Sequence, residues 1–156
     1  MTLNIDYLEF SSPSELSAED QELITAAHEA RKGSYSPYSN FQVGAALRLA
    51  NGLIVKGANQ ENAAYPSGLC AERTAMFWAS ANYPDVPFDT LAIAAADHGT
   101  VCELPASPCG SCRQVMAEYE KKYGRPLKVI LVGEKCIRKF GKVADVLPFI
   151  FDSLKV

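Results

Sequence analysis

Thr90-Leu91-Ala92-Ile93-Ala94-Ala95-Ala96 decides the architecture. A short apolar run of this kind, bounded by turn residues, predicts a strand covered on both faces. Working outward toward the C-terminus, Gly110 to Tyr123 reads as a helix that stops at Gly124, with Lys121 and Lys122 in the last turn where the dipole favours cations. Leu127 to Val132 follows as another apolar strand. Toward the N-terminus, Cys70 to Tyr83 lacks Gly and Pro, is rich in helix formers and ends before Pro84, which predicts a largely buried helix. Strand and helix alternating in this way predict an α/β fold with a mixed sheet and helices packed on its faces.

Further out, Phe41 to Ala50 and Leu53 to Ala58 are separated by Asn51-Gly52, the signal for an antiparallel hairpin with a primed turn. Ser17-Ala18-Glu19-Asp20 starts an amphipathic helix with Leu23, Ala26, Ala27 and Ala30 on one face, expected to end near Gly33. Residues 1–16 show no period and read as an irregular lead-in. At 156 residues the chain is expected to form one domain, residues 1–156, without repeats or linkers.

Composition narrows the function. The chain is 48% hydrophobic, 21% charged and 10% aromatic, as soluble globular domains are, which excludes fibrous and low-complexity readings. A net charge of −3 offers no broad basic surface, so neither a nucleic-acid polymer nor an anionic membrane is the expected partner. No apolar stretch reaches the roughly 18 residues that span a bilayer, and the opening Met1 to Ser12 lacks the basic start of a secretory signal. A cytoplasmic protein is expected. Five cysteines, an odd number, suit a reducing compartment and leave thiols for metal or catalysis.

The chemistry concentrates at two predicted helix starts, Cys70-Ala71-Glu72 and Pro108-Cys109-Gly110-Ser111-Cys112. A helix N-terminus favours thiolate, the form that binds zinc. The spacing of Cys109 and Cys112 puts both sulfurs on one side of a first turn, and Cys70 can supply a third ligand. Three protein ligands leave a fourth tetrahedral position for water, and Glu72 is placed beside it as a general acid and base. Three thiolates around a divalent ion carry a charge of −1, for which Arg73 or Arg113 is the compensating side chain. A redox pair at Cys109 and Cys112, or a closed four-cysteine site drawing on Cys102 or Cys136, is the rival reading; by default both spare cysteines are small buried hydrophobes. His28 and His98 read as structural or solvent-exposed, and Phe77 and Trp78 as core.

The pattern of Cys-x-Glu followed by Pro-Cys-x-x-Cys resembles the zinc deaminases. Tyr35-Ser36-Pro37-Tyr38-Ser39-Asn40-Phe41, Val43-Gly44-Ala45-Ala46, Asn59 to Pro66, Leu69 to Ala75 and Ser107 to Val115 extend the likeness, in order, to the small cytidine deaminases. The resemblance implies a three-layer α/β/α fold and one zinc per subunit held by Cys70, Cys109 and Cys112, with Glu72 as proton shuttle. It implies hydrolysis of cytidine and 2′-deoxycytidine to uridine and 2′-deoxyuridine with release of ammonia, in pyrimidine salvage. Asn59 and Glu61 match a ribose-binding pair, Phe41 an aromatic packed on the pyrimidine, the backbone N–H of Ala71 a donor to the base carbonyl, and Arg73 an arginine bonded to zinc-bound sulfur. Such enzymes are homotetramers, and Tyr65 and Phe151 match residues contributed across their interfaces. The apolar tail Leu147 to Phe151 is otherwise read as core packing. Cysteine rather than histidine at residue 70 favours a free nucleoside over the deoxycytidylate or tRNA-adenosine branches. The longer lead-in and the loop His98 to Ala106 depart from the pattern. Deamination of another aminopyrimidine nucleoside such as blasticidin S, or a non-catalytic zinc module, are the alternatives.

Overall fold

The structure, a computed structural model, describes residues 1–152. At its centre lies β4 (Phe88–Asp97), buried from Thr90 to Ala96 as its apolar run requires. β4 pairs antiparallel with β2 (Phe41–Leu49) and parallel with β6 (Lys128–Val132). β3 (Ile54–Ala58) lies outside β2, while β7 (Ile137–Phe140) and then β1 (Tyr7–Phe10) lie outside β6. The two-residue β5 (Thr100–Val101) pairs with the end of β4. A parallel pair needs a crossover, and α3 (Gly110–Tyr123) supplies it between β4 and β6.

Side chains alternate across the sheet and sort the helices into layers. Ala46, Ala92, Ala94 and Ile130 face α1 (Ala18–Ala30), whereas Leu47, Leu91, Ile93 and Leu131 face α2 (Ala71–Asn82) and α3. The result is the expected three-layer α/β/α arrangement with a mixed sheet. Helix ends follow local chemistry: Ser17 Oγ accepts from Asp20 N at 3.3 Å, and Gly124 closes α3 at φ 59°.

Gly57 decides how closely α2 approaches the sheet. A Cβ there would lie 2.6 Å from both Ala71 O and Ala75 N, in the first turns of the helix that begins at Cys70. Gly57→Val is expected to force α2 outward and to destabilise by about 1–3 kcal/mol or more, since backbone cannot yield as a side chain can. Thermal unfolding checks this, and an unchanged midpoint would contradict it.

Three local expectations need correction. The lead-in is not irregular throughout: Tyr7–Phe10 pairs antiparallel with β7, and Ser12 caps a 3-10 turn at Pro13–Glu15 with a reciprocal bond from Glu15. The hairpin does not use a two-residue primed turn. Leu49 N donates to Leu53 O at 2.8 Å and Gly52 N to Leu49 O at 2.9 Å, and only Gly52 of the loop has positive φ, 88°. This is a three-residue connection with the glycine left-handed, in which Asn51 Oδ1 accepts from Leu53 N at 3.1 Å. Finally, Phe77 and Trp78 are not core but 42% and 51% exposed. The inward stripe of α2 is Ala71, Glu72, Ala75, Met76 and Ala79, and the two aromatic rings fall outside it.

Candidate active site

The two cysteine-bearing helix starts meet. Cys70 is the N-cap of α2 and Cys109 the N-cap of α3, both with extended backbone and neither using its sulfur to cap the helix. Cys112 lies in the first turn of α3 and is fully buried. The three sulfurs lie within 4.8 Å of one another, and those of Cys70 and Cys109 are 3.8 Å apart. Two sulfurs held about 2.3 Å from one tetrahedral ion would themselves be about 3.8 Å apart, so the donor set fits zinc. Among the described residues neither Cys102 nor Cys136 joins the group, which leaves the four-cysteine reading without its fourth ligand.

Electrostatics point the same way. Hydrogen bonding from Cys112 holds the Cys70 thiol down to about 5 against its burial, with Arg73 and Cys109 assisting. The same bond to Cys70, and burial, push the Cys112 thiol up. Three thiols this close cannot all ionise without a cation among them. Arg73 Nη2 donates to Cys70 Sγ at 3.6 Å, and that bond raises the arginine's own pKa. Arg113 is directed elsewhere, donating to Pro108 O at 2.8 Å and Val146 O at 2.6 Å. Of the two candidate compensating charges, Arg73 is the one at the sulfurs.

Glu72 follows the Cys70 cap by two residues and is 4% exposed. Burial raises its carboxyl above the ordinary range, and the negative charge of Cys70 adds to the effect. A carboxyl tuned upward in this way is suited to giving and taking protons near neutrality.

These groups open onto a cavity of about 630 Å³, within the range of small-ligand sites. Phe41, Asn59, Glu61 and Tyr65 line it together with Cys70, Glu72, Arg73 and Cys109. Ala71 is buried at the start of α2, beside them in sequence. Phe151 is not in the cavity lining; it lies along α3, where Gln114 Nε2 donates to its carbonyl at 2.7 Å and its N–H donates to Gln114 Oε1 at 3.2 Å. Two further residues, Tyr38 and Ser39 of the motif that ends at Phe41, also line the cavity. Tyr38 packs edge-on against Tyr65 at the cavity, with ring centroids 6.5 Å apart. Ser39 donates to Glu61 Oε1 and accepts from Phe41 N at 3.0 Å. A serine two residues before an aromatic is the turn signal that would have found the second of these.

A sheet carrying two helix N-termini that converge three cysteine sulfurs beside a buried carboxyl defines a zinc deaminase as a class. Comparison with known proteins narrows it. Residues 17–123 match the family described as the cytidine and deoxycytidylate deaminase zinc-binding region. The cytidine deaminase of Mycobacterium tuberculosis is 42% identical over 126 residues, 78% of this chain and 88% of that one, and that of Halalkalibacterium halodurans 51% over 98 residues, 63% and 70% respectively. The crystal structure of cytidine deaminase from Burkholderia pseudomallei superposes with a TM-score of 0.73 at 40% identity, covering 87% of this chain and all of that one. The chain belongs to the cytidine and deoxycytidylate deaminase family.

Proposed function

We propose that the protein is a cytidine deaminase, hydrolysing the 4-amino group of cytidine and 2′-deoxycytidine to give the uridine product and ammonia. The observation that carries the reading is the cluster of Cys70, Cys109 and Cys112 at two helix starts, with buried Glu72 beside it in a nucleoside-sized cavity. Zinc held by those thiolates would polarise a water molecule and so supply a nucleophile at neutral pH. Glu72 protonates N3 of the cytosine ring, which makes C4 electrophilic, and later delivers a proton to the departing amino group. One C–N bond breaks and one C–O bond forms. Phe41 packs on the pyrimidine, Ala71 N–H donates to its carbonyl, and Asn59 and Glu61 hold the sugar hydroxyls.

The charge of the cavity supports a nucleoside rather than a nucleotide. Among the described residues Arg73 is the one cation lining it, and that guanidinium is engaged by Cys70. A phosphate on the sugar would sit there unpaired at the Glu61 end of the cavity. Cytidine is therefore expected to exceed cytidine 5′-monophosphate in kcat/KM by about 10²-fold or more, the effect of some 3 kcal/mol of uncompensated charge. Loss of absorbance on deamination follows both substrates, with a chelator abolishing and added zinc restoring the cytidine reaction. Equal turnover of the two would contradict the substrate class, and chelator-resistant activity would contradict the metal.

No helix among the described residues is long and apolar enough to cross a membrane, and the reading includes a cytoplasmic enzyme of pyrimidine salvage that acts as a single domain. It also includes a homotetramer with Tyr65 and Phe151 reaching neighbouring sites. Exposure of Tyr65 at 79% and Phe151 at 64%, with Phe77 and Trp78 also outward, supports burial of these rings by other copies.

A further inference from the structure

We propose that Asn59 is a positioning residue for the aromatic wall of the cavity: its side-chain amide holds the backbone on either side of Gln42 and thereby sets the ring of Phe41 against the base, whether or not a sugar is present. The inference rests on the cytidine reading above and goes beyond the sugar contact assigned to Asn59 there.

The β2–β3 ladder ends at the pair Gly44 and Ala58. One more backbone bond follows, Asn59 N to Val43 O at 3.2 Å, and then the chain turns away: Tyr35 N donates to Asn59 O at 3.0 Å, and Gln60 exchanges bonds with Leu69. Past this point β2 has lost its neighbour on that side, yet Phe41 must still project from it. The amide of Asn59 replaces the missing strand. Its Oδ1 accepts from Val43 N at 2.8 Å, and its Nδ2 donates to Phe41 O at 2.8 Å. Ser34 Oγ donates to the same Oδ1 at 2.6 Å, so both lone pairs of that oxygen are taken and one N–H remains for a ligand. A side chain serving sugar recognition alone would not spend three of its four hydrogen bonds on protein.

Glu61 secures the other end of the same segment. Its carboxylate accepts from Tyr38 N at 2.9 Å and Ser39 N at 3.3 Å, as well as from Ser39 Oγ, which in turn accepts from Phe41 N. Between them Asn40 adopts φ 54°, a left-handed conformation that asparagine tolerates. On the far side Phe41 pairs with Asp97 of β4. The ring is therefore set by a backbone clamped from three directions, and the Asn59 amide is the clamp facing the ligand.

A sugarless substrate separates the two roles. The measurements are kcat/KM for cytidine and for 1-methylcytosine, with wild-type protein, Asn59→Ala, Phe41→Ala and the double variant, each checked for zinc content and thermal midpoint. Should 1-methylcytosine turn over too slowly, its inhibition constant against cytidine carries the same comparison. Asn59→Ala is expected to lose about 100-fold on cytidine and about 10-fold on 1-methylcytosine; with Phe41 already replaced, the loss on 1-methylcytosine shrinks to within about twofold, the non-additivity of groups acting as a unit. Asn59→Asp, which keeps the oxygen but sets an acceptor against Phe41 O, behaves on 1-methylcytosine as Asn59→Ala does and serves if the alanine variant does not fold. Wild-type rates on 1-methylcytosine in either Asn59 variant would overturn the proposal in favour of a sugar contact alone. An undiminished Asn59 effect in the Phe41→Ala background would overturn it in favour of a general structural role. Wild-type protein inert toward cytidine would instead overturn the activity on which the inference rests.

Discussion

Glu72→Gln is expected to lower kcat for cytidine by about 10²–10⁴ while leaving one zinc bound per chain, because proton transfer by a placed side chain is typically worth that much and the amide cannot carry the proton. The substitution keeps the size of the side chain and removes the charge from a position that is 4% exposed. Stability should therefore hold or rise, since burial already disfavours the carboxylate there. Both kcat and kcat/KM should fall, as for an interaction made in the transition state rather than with bound substrate. Full activity with zinc still present would remove Glu72 from the reaction.

The second large effect is expected at the metal. Cys112→Ala removes a proposed ligand that is fully buried in the cluster, where no other cysteine among the described residues joins the group. Even outer-shell partners of a metal site cost about 10–100-fold in affinity when removed, and a direct ligand costs more. The variant is expected to purify without zinc and to turn over no cytidine above background. Cys102→Ser and Cys136→Ala serve as controls and should keep both zinc and activity. Retention of zinc and activity by Cys112→Ala would contradict the ligand set. Metal analysis on the same preparations as the kinetics distinguishes loss of zinc from loss of fold, which circular dichroism reports.

How much of this was legible in the sequence differs between elements for physical reasons. β4 could be read because burial on both faces leaves Leu91 to Ala96 no choice but apolar residues. The start of α1 and the end of α3 could be read because the Ser17 cap and the left-handed Gly124 are local. Tyr7–Phe10 could not: it is a four-residue edge strand, largely exposed, and exists through its pairing with β7, whose partner residues lie some 130 positions away. Phe77 and Trp78 were misplaced since aromatic residues on a helix otherwise facing the sheet read as core, and nothing local says which rings miss the stripe.

The candidate site shows the same division. Cys70, Glu72, Cys109 and Cys112 stand out because ligand spacing and helix starts are properties of short segments. That α2 and α3 bring their first turns together is a property of the sheet, and only the spatial structure supplies it. By residue type alone Arg73 and Arg113 were both candidates for compensating charge, and only the family resemblance favoured Arg73; the fold directs Arg73 to Cys70 Sγ and Arg113 to backbone carbonyls. The internal bonding of Asn59 was invisible for a related reason. It joins residue 59 to residues 34, 41 and 43, and a motif reading assigns such a side chain to the ligand by default.

X-ray absorption at the zinc edge of the purified protein tests the central claim most directly. Three sulfur neighbours at about 2.3 Å and one lighter oxygen neighbour at about 2.0 Å are expected, with the oxygen shell altered when a transition-state analogue of the pyrimidine is added. Four sulfur neighbours, or a chain that holds no zinc at all, would contradict it.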